Sequence, residues 1–424
     1  MENNKPTVCL ITNWYPTKEN PYNGIFFKEQ AFAMADEFNF KVIHYNERKK
    51  EPILLYAFRC LRKKNYLIKK INEECNTEEY SIKVFFPGYL IFLNMLCDLY
   101  QKAIKHVSVA GIGTFVSKAY QKKKKKVISQ IFAQDIGESI DLLYCVNAQK
   151  ESYTLQCVSE ALKKPYVVAE HAPFPWPGQS ISDVEKQAIE NAEAFMAISY
   201  DKIRQVLLQN IKPKKIVYVG NLVDESQFVL KKYSGEIKTF LIVAAHSFYK
   251  NYDLFIEIFN KLVKITEIPF RVMIVGYGSN KGYSKNSDEL ENKIKLSDFA
   301  HCAELIPEVG HDKIQEIYQR ADAFIMTSIQ EGLPVSALEA GCCGLPIFST
   351  MCGGVEDYVS EEIGRIYKII DSDSFANGLK DYLEGKIHFE NEYIRNYIIE
   401  RYGKNVFTER MAKIFNDAIE SKLF

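Results

Sequence analysis

Residues 331–346, EGLPVSALEAGCCGLP, set two carboxylates, Glu331 and Glu339, on either side of a proline. The apolar run AFIMT (323–327) ends at Ser328, and a short loop then carries Glu331 and Gly332. Pro334 suits the first position of a helix running through Val335–Cys343, which Gly344 and Pro346 stop. The first N–H groups of such a helix, near Val335 and Ser336, have no acceptor within it and lie at the positive end of its dipole. That chemistry suits a diphosphate and requires no metal. Glu339 lies about 7.5 Å along the axis from Pro334 at the rise of an α-helix. Two acceptors bracketing a phosphate site suit two sets of hydroxyls, those of a sugar and those of a ribose.

Such a site needs a sheet behind it, and the rest of the chain supplies the pattern. Apolar runs at Val8–Thr12, Lys41–His44, Ser81–Phe86, Leu142–Val146, Tyr166–Ala169, Ala194–Ile198 and Lys215–Val219 alternate with helical stretches. The rhythm restarts after Asp224 with Phe240–Ala244, Arg271–Val275, Ala303–Ile306, Ala323–Thr327 and Pro346–Ser349. Helices such as Phe27–Glu37, Asp253–Ile265 and Asp312–Arg320 fall between them. Alternation of this kind predicts an α/β chain with two Rossmann-like, doubly wound parallel sheets facing across a cleft, with ligands beyond the carboxyl ends of the strands. The expected domains are 1–225, 226–400 and a C-terminal helix, 401–424, packing back on the first domain. Residues 45–140 interrupt the rhythm. The stretches 52–70 and 88–127 combine apolar faces with lysines and include the run Lys122–Lys126, which predicts a helical basic insertion. Its lysines are either a solvated face or a surface for anionic lipid or an anionic acceptor.

The 424 residues are 47% hydrophobic and 25% charged, the balance of a globular protein. The net charge is zero, so no global field favours nucleic acid, and no aromatic residues interleave the lysine run. Residues 1–230 nevertheless carry 31 basic and 25 acidic side chains, leaving the first half at +6 and the remainder at −6. The ten cysteines show no metal-ligand spacing, and the start, MENNKP, does not read as a signal peptide. A cytoplasmic protein is expected, with residues 52–126 available for peripheral contact with the inner face of a membrane.

The stretch SIQEGLPVSALEAGCCGLPIFSTMCGGVEDYV resembles the signature of the retaining GT-B glycosyltransferases of glycosyltransferase family 4. The resemblance implies that Glu331 touches the donor-sugar hydroxyls and Glu339 the ribose diol. Backbone amides of Gly332, Leu333, Val335 and Ser336 would hold the diphosphate and sugar. FLIVAAHSFYKNYDLFIEIF is similar to the opening of the family's second domain and makes Lys250 a phosphate contact. Ala245 stands where the family usually has an arginine. VMIVGYG, with Gly276 and Gly278, resembles the turn that lets a base approach, and LIPEVGHDKIQEIYQRADAFIMTS resembles the segment flanking that base. ITNWYPTKENPYNGIFFKEQAFAMA implies that Gly24 faces the donor phosphates from a helix N-terminus, and YVVAEHAPFP implies that His171 lies beside the transferred sugar. Taken singly, Lys250 and His171 are also what a solvent-facing lysine and a structural histidine look like. Asn221 and Asp224 read as turn and capping residues.

The activity so implied is metal-independent, retaining transfer of a sugar from a UDP or GDP sugar to a glycan or lipid-linked acceptor. No cofactor is needed, and cell-surface polysaccharide or glycolipid synthesis is the implied setting. Two other readings share the fold: a sugar-nucleotide epimerase, and an inactive nucleotide-sugar-binding homologue, which Ala245 favours. The resemblance covers residues 7–44 and 141–380.

Overall fold

The computed structural model describes residues 5–12, 14–16, 23–48, 66–85, 131–132, 136, 139–232, 235–278 and 287–421. Two sheets organise them. Strands β1 (Thr7–Ile11), β2 (Asn39–Arg48), β3 (Tyr66–Glu74), β4 (Thr77–Phe85), β5 (Leu142–Cys145), β6 (Tyr166–Glu170), β7 (Ala194–Ala197) and β8 (Ile216–Tyr218) form an eight-stranded sheet of order β3-β4-β2-β1-β5-β6-β7-β8. Strands β9 (Lys238–Val243), β10 (Phe270–Val275), β11 (Ala303–Ile306), β12 (Ala323–Met326), β13 (Ile347–Thr350) and β14 (Gly364–Tyr367) form a six-stranded sheet of order β11-β10-β9-β12-β13-β14. Every pairing is parallel except β3 with β4.

The strands are parallel because they are apolar on both faces and joined by helices. TVCLI, LLYC, YVVAE, AFMA, AFIM and IFST are buried at every position. The covering helices are α1 (Ile25–Ala33), α2 (Ala148–Leu162), α3 (Asp183–Asn191), α4 (Tyr200–Leu208), α5 (Tyr252–Ile265), α6 (Ser287–Lys295), α7 (Ile314–Arg320), α8 (Val335–Cys342), α9 (Ser372–Leu383), α10 (Asn391–Tyr402) and α11 (Lys404–Glu420). Side-chain caps start several of them: Asn147, Ser182, Ser199, Asn251 and Asp371 each accept from a first-turn N–H.

The basic insertion departs from the expected helix. Residues 66–70 belong to β3, which pairs antiparallel with β4. Cys75 and Asn76, at φ 47° and 56°, make the two-residue turn between them, and positive φ at both positions matches the twist of a tight hairpin. The rest of the stretch, including Lys122–Lys126, lies outside the described residues. Two further differences are small. Pro334 is the N-cap of α8, with extended ψ of 112°, and Val335 begins the helix. The helix expected from Asp312 opens as a 3₁₀ turn, His311–Lys313, and becomes α-helical at Ile314.

Among the described residues, the linker and the C-terminal helices help tie the domains together. Lys231 of the linker donates to Ala321 O and to Asp322 Oδ1 at 2.7 Å, a pair only 3% exposed on each side. Arg395 of α10 donates to the carbonyls of Phe228, Cys342 and Glu225, fixing the linker against the end of α8. Helix α11 then crosses back to the first sheet, where the Phe415 ring lies 5.5 Å from those of both Phe38 and Tyr144. Among the described residues no helix is long and apolar enough to cross a membrane.

Candidate active site

Two loops at the carboxyl ends of β12 and β13 build the centre of the site. Glu331 N–H donates to Cys352 O at 2.7 Å, and Glu331 forms a parallel bridge with Gly353. A Cβ on Gly354 would stand 1.9 Å from Gly332 O, so the EGLP and GGVED segments touch backbone to backbone, and only glycine fits there. Thr350 Oγ1 donates to Ser328 O at 2.6 Å and ties the strand ends together. The Glu331 side chain is thereby held outward from a rigid strand end.

Lys250 meets it. The ammonium donates to Glu331 Oε1 at 2.6 Å, with the side chains 26% and 14% exposed. A 3₁₀ turn, Phe248–Lys250, delivers the lysine, and Asn251 at φ 49° then turns the chain into α5. The expectation of a phosphate-facing cation is consistent with this placement, because the ammonium points at the loop before α8. Beside it, the N–H groups of Gly332, Leu333, Val335 and Ser336 have no acceptor among the described residues. Four backbone donors and one ammonium converge where α8 begins, and an anion is the ligand such a group can hold.

Glu339, one turn deeper, is 7% exposed and accepts from Tyr318 OH at 2.6 Å. Burial pushes its carboxyl up to about 8, aided by the charge of Glu29 on α1 and opposed by the Tyr318 hydrogen bond. A carboxyl holding a proton can donate one hydrogen bond and accept another, which matches a vicinal diol. The folded state keeps this proton over the range from the ordinary value of 4.5 to about 8, while the unfolded chain loses it. Stability contributed by this group therefore falls as pH rises through that window. Glu339→Gln is expected to flatten the fall in urea midpoint between about pH 5 and 8. Equal slopes in the two proteins would show an ionised carboxylate instead.

The first domain closes the other side. Gly24, at φ 66°, is the N-cap of α1, and a Cβ there would stand 2.5 Å from Trp14 O. Phe26 and Phe27 of α1 pack on the His171 ring at 5.9 and 4.7 Å. His171 is half-buried with its Nδ1 enclosed and without a partner among the described residues, and its pKa is held down to about 3, first by desolvation and then by the charge of Lys202. An imidazole so placed stays neutral near pH 7 and can donate or accept a hydrogen bond. A Cβ on Gly332 would lie 2.8 Å from His171 O, so the histidine segment and the donor loop are in contact across the cleft. Asn221 Nδ2 donates to Leu333 O at 2.7 Å, and Tyr200 N–H donates to Asp357 Oδ2 at 2.9 Å, closing the same seam. Asn221 thus bridges the domains, beyond the turn role read from its sequence context. Asp224 does cap its own turn, accepting from Ser226 N–H at 3.0 Å.

The structure brings Gly24, His171, Lys250, Glu331, Gly332, Leu333, Val335, Ser336 and Glu339 around one seam. Gly276 lies at the end of β10, which β9 separates from β12. At φ 83° it donates to Ile306 O at 2.9 Å, and the next glycine, Gly278, donates to Pro307 O at 2.8 Å. The His246 ring, next to Ala245, lies edge-on to Tyr252, 5.6 Å away. Among the described residues no group of three or more His, Cys, Asp or Glu could hold a metal ion.

One functional cluster was not read from the sequence. Glu170, fully buried at the end of β6, accepts from Gln149 N–H at 3.1 Å and Ala172 N–H at 2.8 Å. Lys202, 1% exposed, donates to Ala172 O and to Gln205 Oε1 at 2.9 Å. Burial raises the carboxyl and lowers the ammonium, and each opposes the other's shift. Together they grip the residues on both sides of His171. A glutamate closing the apolar run YVVAE was the available signal; Lys202 in a helix carries none.

The family model for glycosyl transferases group 1 matches residues 224–401. Among curated proteins, the chain is 27% identical over 312 residues to a lipopolysaccharide 1,6-galactosyltransferase of Escherichia coli, spanning 69% of this chain and 77% of that one. It is 23% identical over 216 residues to the phosphatidylinositol N-acetylglucosaminyltransferase gpi3 subunit of Schizosaccharomyces pombe, spanning 50% of this chain but 45% of that one, under half its length. A solved Anabaena protein in complex with UDP-glucose superposes with a TM-score of 0.64 at 14% identity, over 97% of this chain and 99% of that one, a likeness of fold.

Proposed function

The chain belongs to the glycosyl transferases group 1 family, with the GT-B fold, and from that premise we propose that it moves a hexosyl unit from a nucleoside-diphosphate sugar to an acceptor hydroxyl. The observation that carries the reading is the set of four unpartnered N–H groups at the start of α8 beside the Lys250–Glu331 pair. They would take the diphosphate, Glu331 the hexose hydroxyls and Glu339 the ribose diol, with Gly24 at the start of α1 facing the phosphates from the other domain.

In the reaction the bond between the anomeric carbon and the β-phosphate oxygen breaks, and one forms from the acceptor oxygen to that carbon. The acceptor's proton passes to the departing phosphate. Lys250 and the helix N-termini stabilise the charge that develops on the leaving group, a role preorganised donors fill well in a water-poor cleft. We assign transfer on the same face of the sugar, with retention, and no metal requirement. His171, neutral and beside the seam, would accept or donate one hydrogen bond to the transferred sugar. Similarity to proteins named for lipopolysaccharide and phosphatidylinositol substrates supports a glycan or lipid-linked acceptor in surface polysaccharide or glycolipid synthesis. The Anabaena likeness supports a UDP sugar, with GDP sugars as the competing donor class.

A thermal-shift screen of UDP, GDP, ADP and their sugars, with and without EDTA, tests this. One base should stabilise the protein by about 2.7 kcal/mol at a hundredfold excess over its Kd, unchanged by chelator. No shift with any nucleotide would end the proposal, and a shift abolished by EDTA would end its metal-free form.

A further inference from the structure

A cavity of about 310 Å³ opens between the turn after β9 and the first turns of α5 and α6. It is not the site described above. Tyr252 and Leu290, which line it, belong to the core under α5 and α6, whereas Tyr318 and Leu338 beside the diphosphate cradle belong to the core on the opposite face of the sheet.

Its chemistry is specific. Phe248 stands at its edge 78% exposed, a large apolar ring left in water. Asp253 and Glu289 share the Lys293 ammonium at 2.9 and 3.6 Å, so this part of the wall carries two negative charges against one positive. That balance repels phosphates and carboxylates. The His246 imidazole, the Ser247 hydroxyl and the Asn251 amide NH2 have no hydrogen-bond partner among the described residues. An exposed aromatic face, carboxylates already in fixed positions and unpaired neutral donors and acceptors together fit an uncharged ring that is apolar on its C–H face and hydroxylated at its edge. A volume of this size admits one or two such rings.

We propose that this cavity is a second carbohydrate site, which binds a neutral pyranose of a glycan by stacking on Phe248 and hydrogen bonding to Asn251, Ser247 and Glu289. It is independent of the donor cradle, so the proposal stands or falls without the transfer reaction. A single ring held this way binds weakly, with a Kd on the order of 1 mM.

The test is saturation-transfer NMR of the full chain with methyl α-D-galactopyranoside and methyl α-D-glucopyranoside. At least one glycoside should receive transfer in the wild type and in Glu331→Ala, which disables the donor cradle. The apparent Kd should rise at least fivefold in both Phe248→Ala and Glu289→Ala, two exposed positions whose circular dichroism and melting should match the wild type. Inorganic phosphate should not displace the sugar. Transfer abolished in Glu331→Ala would place the sugar in the donor cradle and overturn the proposal. Unchanged binding in Phe248→Ala and Glu289→Ala, absence of transfer in the wild type, or displacement by phosphate would overturn it as well.

Discussion

Lys250→Ala is expected to lower kcat by about 10²- to 10³-fold while leaving the fold intact. The ammonium is placed against the loop that leads into α8, and removal of a single preorganised donor facing developing charge costs roughly 3–4 kcal/mol of barrier. Most of the loss should fall on kcat, because the charge Lys250 meets grows as the sugar–phosphate bond breaks. Stability should change little, since the pair is partly solvated and Glu331 can turn to water. Lys250→Arg should recover only part of the rate, its planar fork being unable to reproduce a point contact at 2.6 Å. Steady-state kinetics with the donor found by the thermal screen decide the matter. A decrease below about fivefold would remove Lys250 from the chemistry.

The second large effect is on stability. Lys202→Met should cost about 3–5 kcal/mol, the range for removing one of two buried opposite charges, because the ammonium offsets the charge of the Glu170 carboxylate without touching it. The substitution leaves the fully buried Glu170 carboxylate without a nearby positive charge and takes the lysine donor from Ala172 O and from Gln205 Oε1, which keeps the Phe174 N–H at 3.1 Å. Neutralising both partners, Lys202→Met with Glu170→Gln, should restore part of the loss, because no charge is then left buried without its counter-charge, although the single carbonyl oxygen of the glutamine can replace only one of the two carboxylate oxygens that accept from Gln149 and Ala172. Urea denaturation of the single and double variants measures it. If the double variant is as unstable as the sum of the singles, the two residues do not act as a pair. Partial rescue of folding with persistent loss of kcat would show that the charges also hold the His171 segment in place.

Much of this architecture was legible because it rests on short-range rules. Runs such as TVCLI and AFIM are apolar at consecutive positions, and only a strand buried on both faces needs that. The loop, proline and helix around Glu331 were legible for the same reason, since N–H groups at a helix start are a local property. What escaped depends on partners far away in sequence. Residues 66–70 carry lysines and apolar residues that suit a helix face as well as a strand, and only the positive-φ pair Cys75–Asn76 and pairing with β4 decide for a hairpin. Cys-Asn is not among the dipeptides that announce such a turn. Lys202 reads as a surface lysine until α4 is packed on the first sheet, and Tyr318 gives no sign in sequence of a bond to Glu339, 21 positions on. Gly332 looked like a donor contact; its second constraint, the His171 carbonyl, comes from the other domain.

The return of α11 to the first sheet has a consequence for how the chain is made. Among the described residues, Phe38 and Tyr144 share the ring of Phe415, 271 residues after the later of the two. At ribosomal rates of about 5–20 residues per second, that patch of the nascent first domain waits roughly a quarter of a minute to a minute for its cover. During translation the half-built protein therefore displays a greasy, sticky face, and chaperone capture at that face is the natural safeguard against clumping.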